Sequence, residues 1–346
     1  MHMHETIITP RQQKILDILA TQTSATRAEL AKILSPVYPV SKPTLARDLK
    51  ALTVSGRIKS SGVGRSTSYR LFQAHSLLRH INLAQYFELE PDQRLDANKR
   101  FNPQIFPQLL DLFTSADLLE LQQIYKPLPK NPNFRELERF VIELSWKSSK
   151  IEGNTYTLLE TESLIKDARK AAGKPSSEAM MILNHKAAFE TILNHPSDFT
   201  DLKLTTLLQL HNRLISGLGI SGGIRTTRVG ITGTAYIPPD NQWQLTEYLN
   251  STIECINRAT HPLEKALIAS AMIAYLQPFA DGNKRTARML TNALLIAQQY
   301  YPLSYRSVDE NEYKQALIVF FETNNLLDLK RLFIDQYRFA LETYNL

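Results

Sequence analysis

From about residue 105 almost to the end of the chain, apolar side chains recur at the three- and four-residue spacing of amphipathic helices. The segments with this spacing are 106–125, 133–152, 158–172, 176–195, 203–218, 242–258, 262–277, 284–299, 309–322 and 326–343. The pattern breaks over 219–240, where the alternating residues 229–237 precede two prolines and predict a small β-hairpin. The residues from about 105 onward are therefore predicted to form an all-α architecture with one hairpin.

The first 72 residues differ from this helical body in charge and in pattern. They carry 11 basic and 4 acidic side chains, whereas the whole chain carries 40 and 34, so the excess of positive charge lies in this segment. Three short helical patterns precede a basic alternating stretch, 57–71, with a glycine-rich turn. This order predicts a winged helix-turn-helix domain over 1–72, a connector over 73–105 and a helical domain over 106–346.

The third helical pattern begins after Ser41 and places Leu45, Leu49 and Leu52 on one face. The stretch SKPTLARDLKAL is similar to the recognition helix of bacterial winged-helix regulators of the DeoR kind. Polar residues of this helix and cations of the wing are the predicted DNA contacts: Lys42, Thr44, Arg47, Lys50, Lys59 and Arg65. The alternative is a small solvated domain that binds a protein or dimerises.

Composition excludes several classes of protein. A single cysteine, Cys255, excludes an internal disulfide framework and a cysteine-rich zinc site. The polar first residues lack the apolar core of a signal peptide, and the longest apolar run is too short to cross a bilayer. We therefore expect a cytoplasmic protein with no membrane partner.

The stretch LQPFADGNKRTARML, residues 276–290, predicts a turn followed by a helix with cations in its first turns. Because a helix N-terminus is already positive, Lys284, Arg285 and Arg288 are unfavourable there unless an anion binds. Phosphate is the obvious anion, and Asp281 is suited to hold a Mg²⁺ that bridges phosphate oxygens. The alternative is an interhelical turn whose basic residues pair with acidic neighbours.

The same stretch resembles the signature of the Fic family, His-Pro-Phe-x-(Asp/Glu)-Gly-Asn-(Gly/Lys)-Arg-x-x-Arg. The matching residues are Pro278, Phe279, Asp281, Gly282, Asn283, Lys284, Arg285 and Arg288. Segments 146–162, 182–190 and 222–240 also look like stretches that Fic proteins carry in the same order. The resemblance implies a Fic fold and the transfer of AMP from ATP, with Mg²⁺, to a hydroxyl group of a target protein.

The resemblance also implies a role for each matching residue. Asp281 is expected to bind Mg²⁺, and the nucleotide phosphates are expected to lie on Gly282, Asn283, Lys284, Arg285 and Arg288. The predicted hairpin is expected to be a flap that binds a target segment by strand addition. Its residues are Val229, Gly230, Ile231, Thr232 and Gly233. The alternative for this hairpin is a purely structural turn.

Residues 148–154, with the sequence SSKIEGN, resemble the inhibitory motif of Fic proteins, (Ser/Thr)-x-x-x-Glu-(Gly/Asn). The resemblance implies that 133–152 is an N-terminal inhibitory helix marked by Ser148, Glu152 and Gly153. Glu152 is then expected to pair with Arg288 in the place of the ATP γ-phosphate. A simple helix end at Gly153 is the plainer interpretation, and it is compatible with the first.

The first residue of the Fic signature is His, but here it is Gln277. In the family that His takes the proton of the target hydroxyl, whereas an amide has no pKa suited to this task. Two functions remain open: a DNA-binding regulator whose Fic domain binds ATP and Mg²⁺ but is impaired in AMP transfer, and an adenylyltransferase that Glu152 restrains. Removal of AMP from proteins is a third option. We expect a homodimer, which suits palindromic DNA sites.

Overall fold

The computed structural model describes residues 8–21, 24–55, 57–62, 64, 67–71, 75–94 and 97–346. The chain divides between Ser76 and Leu77 into two compact units, and each unit has its own apolar core. Helix predominates, as predicted. Within the described residues, no helix has the length and apolarity needed to cross a bilayer.

The N-terminal unit consists of three helices and three short strands in its described residues. In chain order they are α1 (Pro10–Thr21), β1 (Ala25–Thr26), α2 (Arg27–Leu34), α3 (Lys42–Val54), β2 (Ile58–Ser61) and β3 (Ser68–Leu71). The strands form an antiparallel sheet in the order β1-β3-β2. Ala25 lies opposite Tyr69, and Ile58 lies opposite Leu71.

Helix α3 begins and packs as its sequence predicts. The Ser41 hydroxyl accepts a hydrogen bond from the Thr44 amide and caps the helix. Leu45, Leu49 and Leu52 are buried in the core of the unit. The buried carboxylate of Asp48 pairs with Arg11 at 2.5 Å, so an ion pair joins α3 to α1.

The second unit consists mainly of helices joined by loops. Its helices are α4 (Leu83–Tyr86), α5 (Ser115–Ile124), α6 (Phe134–Ile151), α7 (Leu158–Asp167), α8 (Ser176–Asn194), α9 (Leu204–Ile215), α10 (Gln242–Arg258), α11 (Pro262–Leu276), α12 (Asn283–Ala297), α13 (Glu310–Thr323) and α14 (Leu327–Thr343). Helix α11 is buried over almost its whole length and packs on α10, α12 and α13. The turn from α11 to α12 therefore starts from the centre of the core.

The predicted hairpin at 229–237 is absent, and this prediction is wrong. Residues 216–241 form an irregular loop, and the only ladder contact there is a single parallel bridge between Ile237 and Arg100. Side chains take over the role of cross-strand hydrogen bonds, because Arg225 donates to the carbonyls of Thr227 and Pro239. The loop is thus held by a buried arginine rather than by a paired strand.

The predicted connector, 73–105, is not a separate segment from Leu77 onward. Leu77 and Ile105 are buried in the core of the second unit. Arg94 forms a buried ion pair with Glu322 on α13 at 3.1 Å. These contacts make residues 77–105 part of the helical unit, in spite of their polar sequence.

Candidate functional site

The turn between α11 and α12 has a shape that its own side chains fix. Gln277 ends α11 in the left-handed conformation, with φ of 48°, and Gly282 precedes α12 with φ of 78°. The Asn283 side chain accepts from the Phe279 amide and donates to the Phe279 carbonyl, both at 2.8 Å. No side chain caps α12, so its first backbone amides are available to bind an anion.

Phe279 anchors this turn in the core. Its ring is fully buried and stacks on the imidazole of His211, with ring centroids 3.7 Å apart. The Nδ1 atom of His211 lies 3.0 Å from the Thr286 hydroxyl on α12. Burial and the nearby Arg285 lower the pKa of His211 to about 4, so this imidazole is neutral at physiological pH.

Glu152 lies next to the start of α12 and pairs with two of its cations. Its Oε1 atom is 2.9 Å from Nη2 of Arg288, and its Oε2 atom is 3.8 Å from Nζ of Lys284. Glu152 is the C-cap residue of α6, and Gly153 follows it with φ of 94°. The structure therefore brings the end of the predicted inhibitory helix to the predicted phosphate site.

Ser148 fixes the other side of the Arg288 guanidinium. Its hydroxyl accepts from Nε of Arg288 at 2.9 Å, and its carbonyl accepts from Nη2 at 2.8 Å. The Ser148 hydroxyl also lies 2.9 Å from Nε2 of His185. Burial lowers the pKa of His185 to about 3, so it remains neutral beside the arginine.

The charges around Glu152 favour its ionised form. Burial alone would raise the pKa of this carboxyl, but Arg288, Lys284 and Arg285 together hold it below its ordinary value. Arg288 is completely buried, and Glu152 raises its pKa in turn, although burial opposes this. Nη1 of Arg288 and Nη1 of Arg285 are buried and have no hydrogen-bond partner. The site thus retains cationic donors that one carboxylate does not satisfy.

A cavity of about 600 Å³ opens at this turn. Its lining comes from the end of α6, the 216–241 loop, the α11–α12 turn and α13. The lining residues are Ile151, Glu152, Gly153, Val229, Gly230, Ile231, Thr232, Gly233, Gln277, Ala280, Asp281, Gly282, Asn283, Lys284, Lys314, Leu317, Ile318 and Phe321. The lining thus combines three of the predicted phosphate residues, Gly282, Asn283 and Lys284, with apolar side chains of α13.

Within the described part of the chain, Asp281 and Glu152 are the two carboxylates that line the cavity. Asp281 lies in the turn before α12. Its Oδ1 atom accepts from the Gly282 amide, and its Oδ2 atom lies 3.4 Å from Nη2 of Arg285. Its side chain is 67% exposed. Among the described residues, no group of three or more acidic, histidine or cysteine side chains gathers to hold a metal. One carboxylate fits Mg²⁺ that takes its other ligands from water and from phosphate oxygens.

Gln277 lines the cavity at the first position of the turn. Its Nε2 atom donates to the Ala274 carbonyl at 2.7 Å, and its own carbonyl accepts from Arg225. Among the described residues, no histidine lines the cavity: His185 and His211 are fully buried, and His261 caps the start of α11. The cavity therefore lacks an imidazole that could accept a proton near neutral pH.

The predicted DNA contacts lie on the N-terminal unit. Lys42, Arg47 and Lys50 are exposed on α3, and Thr44 is partly buried in its first turn. Lys59 is exposed on β2, whereas Arg65 lies outside the described residues. The described cations of α3 thus face away from Leu45, Leu49 and Leu52, as the helical spacing predicts.

Sequence reasoning missed two buried charged groups behind the cavity. Arg225 is 4% exposed and hydrogen-bonds to carbonyl groups of the turn and of the 216–241 loop. Glu322 is fully buried and accepts from Arg94, Tyr86 and Thr234. Arg225 lies inside the segment 222–240 that resembles Fic proteins, but nothing in its spacing indicates burial.

Comparison with known families places this site in context. Residues 201–295 match the sequence model of the Fic/DOC family. Among curated proteins, the chain is 26% identical over 311 residues to a protein adenylyltransferase Fic of Nematostella vectensis, covering 80% of this chain and 71% of that protein. It is 32% identical over 187 residues to the Culex quinquefasciatus protein of the same name, covering 51% and 36%. The chain thus spans only about a third of such insect relatives.

Solved structures show the same fold at lower sequence identity. Fic-1 of C. elegans, residues 134–508, is 20% identical with a TM-score of 0.53, and the match covers 70% of each chain. A Fic family protein from Desulfovibrio desulfuricans G20 is 23% identical with a TM-score of 0.51, covering 70% of this chain and 74% of that one. The helical unit therefore has a Fic-like fold.

Proposed function

We propose that the protein is a DNA-binding regulator whose Fic domain binds ATP and Mg²⁺, is inhibited by Glu152 and is impaired in AMP transfer. The observation that carries this proposal is the contact of Glu152 with Arg288 at the edge of the cavity. One carboxylate there neutralises a buried cation that an ATP phosphate group would otherwise bind.

The cavity has groups suited to each part of a nucleotide. The phosphates are assigned to Gly282, Asn283 and Lys284 and, behind them, to Arg285 and Arg288. The uncapped α12 N-terminus and the unpartnered Nη1 atoms support this assignment. The apolar side chains of α13 offer a surface for a nucleobase. A Mg²⁺ ion held by Asp281 would neutralise part of the phosphate charge.

Impaired transfer is proposed from the residue at the start of the turn. An amide such as that of Gln277 accepts a hydrogen bond but does not hold a proton at neutral pH. General-base catalysis typically contributes about 10²–10⁴-fold to a rate. A target hydroxyl in this cavity would therefore keep its proton and attack phosphorus slowly, even when ATP is bound.

DNA binding is proposed for the N-terminal unit as a winged helix-turn-helix domain. The order of three helices and a small antiparallel sheet supports this assignment, with α3 as the recognition helix. The exposure of the α3 cations supports contacts with phosphates and base edges. We also propose a homodimer, which suits a palindromic site and is tested by light scattering of the purified protein.

The alternative function is a protein adenylyltransferase restrained by Glu152. It is favoured by the name of the curated relatives, protein adenylyltransferase Fic. Incubation with α-labelled ATP and Mg²⁺ distinguishes the two functions when Glu152→Gly is compared with Glu152→Gly combined with Gln277→His. Label on protein only in the double variant supports impaired transfer. Equal label in both variants supports the adenylyltransferase.

A further inference from the structure

We propose that Arg225 is a positioning residue that holds the α11–α12 turn and the 216–241 loop, which both line the cavity, at a fixed separation. The inference rests on the proposed nucleotide function only for its catalytic consequence. The connection itself is defined by hydrogen bonds between backbone carbonyls and one buried guanidinium.

Arg225 forms four contacts with main-chain carbonyl groups. Its Nε donates to the Gln277 carbonyl at 2.7 Å, and its Nη1 donates to the Thr227 carbonyl at 2.6 Å. Its Nη2 donates to the Pro239 carbonyl, and its own amide donates to the Pro278 carbonyl at 3.0 Å. One residue therefore joins the first two residues of the α11–α12 turn to both ends of the 227–239 loop.

The two joined segments both contribute to the cavity lining. The turn contributes Gln277 and the residues from Ala280 to Lys284, and the loop contributes Val229–Gly233. A target segment that reaches bound ATP would pass between them. The width of that passage is set where the Arg225 guanidinium bonds to both segments.

Arg225 is a buried cation without a carboxylate partner in the described part of the chain, which is unusual for a side chain whose role is only to pack. It forms no ion pair with the carboxylates of the described residues, and Asp240, which attracts it, is bound to Arg228 at 2.9 Å. Burial lowers its pKa, so carbonyl dipoles must stabilise the cation. A buried cation without a carboxylate partner is costly, and its five donors in a rigid fork are what several carbonyls at fixed angles require.

The backbone conformation of Gln277 depends directly on the hydrogen bond from Arg225. A non-glycine residue with φ of 48° is strained, and it persists when the surroundings hold it. Arg225 binds its carbonyl, while the Ala274 carbonyl binds its side chain. Loss of the guanidinium frees the residue that occupies the position of the Fic histidine. Arg225 thus positions the side chain at 277 without touching the phosphate residues of α12.

The test uses Arg225→Met and Arg225→Lys in the full chain carrying Glu152→Gly and Gln277→His. Lys330→Met is the matched control, because it removes a buried cation that pairs with Asp117 and lines no part of the cavity. Hydrogen exchange is measured for residues 226–240 and 277–282, together with ATP affinity and the initial rate of AMP transfer. Arg225→Lys answers the question if Arg225→Met fails to fold.

We expect hydrogen exchange to rise by about tenfold or more in both segments together. The rate of transfer should fall at least tenfold, with the Kd for ATP within threefold of the parent and partial recovery in the lysine variant. The proposal is overturned if only one segment exchanges faster, if ATP affinity falls as much as the rate, or if Lys330→Met gives the same pattern. A parent that binds no ATP contradicts the proposed function, while the exchange result still decides the role of Arg225.

Discussion

Glu152, the C-cap residue of α6, lies 2.9 Å from Arg288 on α12, although 136 positions separate them in the sequence. Arg288 is fully buried and also bonds to the hydroxyl and carbonyl of Ser148. Its guanidinium thus has three fixed contacts and one unpartnered nitrogen, Nη1. In the proposed function, this arrangement lets a single carboxylate control whether a phosphate binds at α12.

The stability of the helical unit should depend on pH through its buried histidines. Burial lowers the pKa of His185 to about 3 from 6.5, so the unfolded chain binds a proton that the folded chain excludes. The free energy of unfolding should therefore fall as pH decreases below about 6.5. His185→Gln should reduce that slope by about 1.4 kcal/mol per pH unit between pH 6 and 4 in urea titrations. Parallel curves for the two proteins would contradict the burial of a neutral His185.

A histidine at position 277, as in the Fic signature, should accelerate AMP transfer. In a Glu152→Gly background, Gln277→His should raise the rate of AMP transfer by about 10²–10⁴-fold, because it returns a general base to the first position of the turn. Gln277→Asn is the control, since it changes the side chain without adding a base. Initial rates with α-labelled ATP measure the effect, and equal rates in all three proteins would show that position 277 does not limit transfer.

Replacing a cation on α3 should weaken DNA binding in a salt-dependent way. Arg47→Ala should reduce the slope of log affinity against log salt concentration by about 1, because one phosphate contact is lost. Lys14→Ala, which removes an exposed cation from α1, is the matched control and should leave the slope unchanged. Anisotropy titrations with a duplex from upstream of the coding sequence measure both. A flat salt response of the unaltered protein would exclude the phosphate-contact interpretation.

The buried pair of Glu322 and Arg94 should be important for stability. Glu322→Gln should destabilise the protein by about 3 kcal/mol or more, because it leaves the Arg94 charge buried without a counter-ion. Asp328→Asn is the control, since its partner Arg331 is 57% exposed and such pairs contribute about 1 kcal/mol at most. Chemical denaturation measures the free energy of unfolding of both variants. Equal losses would show that the Glu322–Arg94 pair is not fully buried.

The sequence predicted the parts of this fold that local periodicity determines. Every one of the ten helical segments proposed after residue 105 contains a helix, although the first, 106–125, is reduced to Ser115–Ile124 after a 3₁₀ turn at Pro103–Gln108. Proline at 103 and 107 and the left-handed Asp111 account for this reduction. Of the signature residues, Asp281, Gly282, Asn283 and Lys284 line one cavity, and Arg288 contacts Glu152, which also lines it.

What the sequence did not reveal depends on long-range contacts. The alternation in 229–237 is typical of a hairpin, but Arg225 and Glu322 fix this loop through side-chain bonds that no local pattern contains. The polar residues 77–105 looked like a connector, because their anchor, Glu322, lies more than 200 positions away. Buried polar networks of this kind are specified by tertiary structure, so periodicity cannot find them.

In the proposed function Glu152 competes with ATP for Arg288, and calorimetric titration with ATP and Mg²⁺ measures this competition in the unaltered protein and in two variants. Glu152→Gly is compared with Glu310→Gly, which removes a carboxylate that pairs with Lys147 and lines no part of the cavity. We expect ATP to bind Glu152→Gly about tenfold or more tightly than it binds the other two proteins. Equal affinity in all three would contradict inhibition by Glu152.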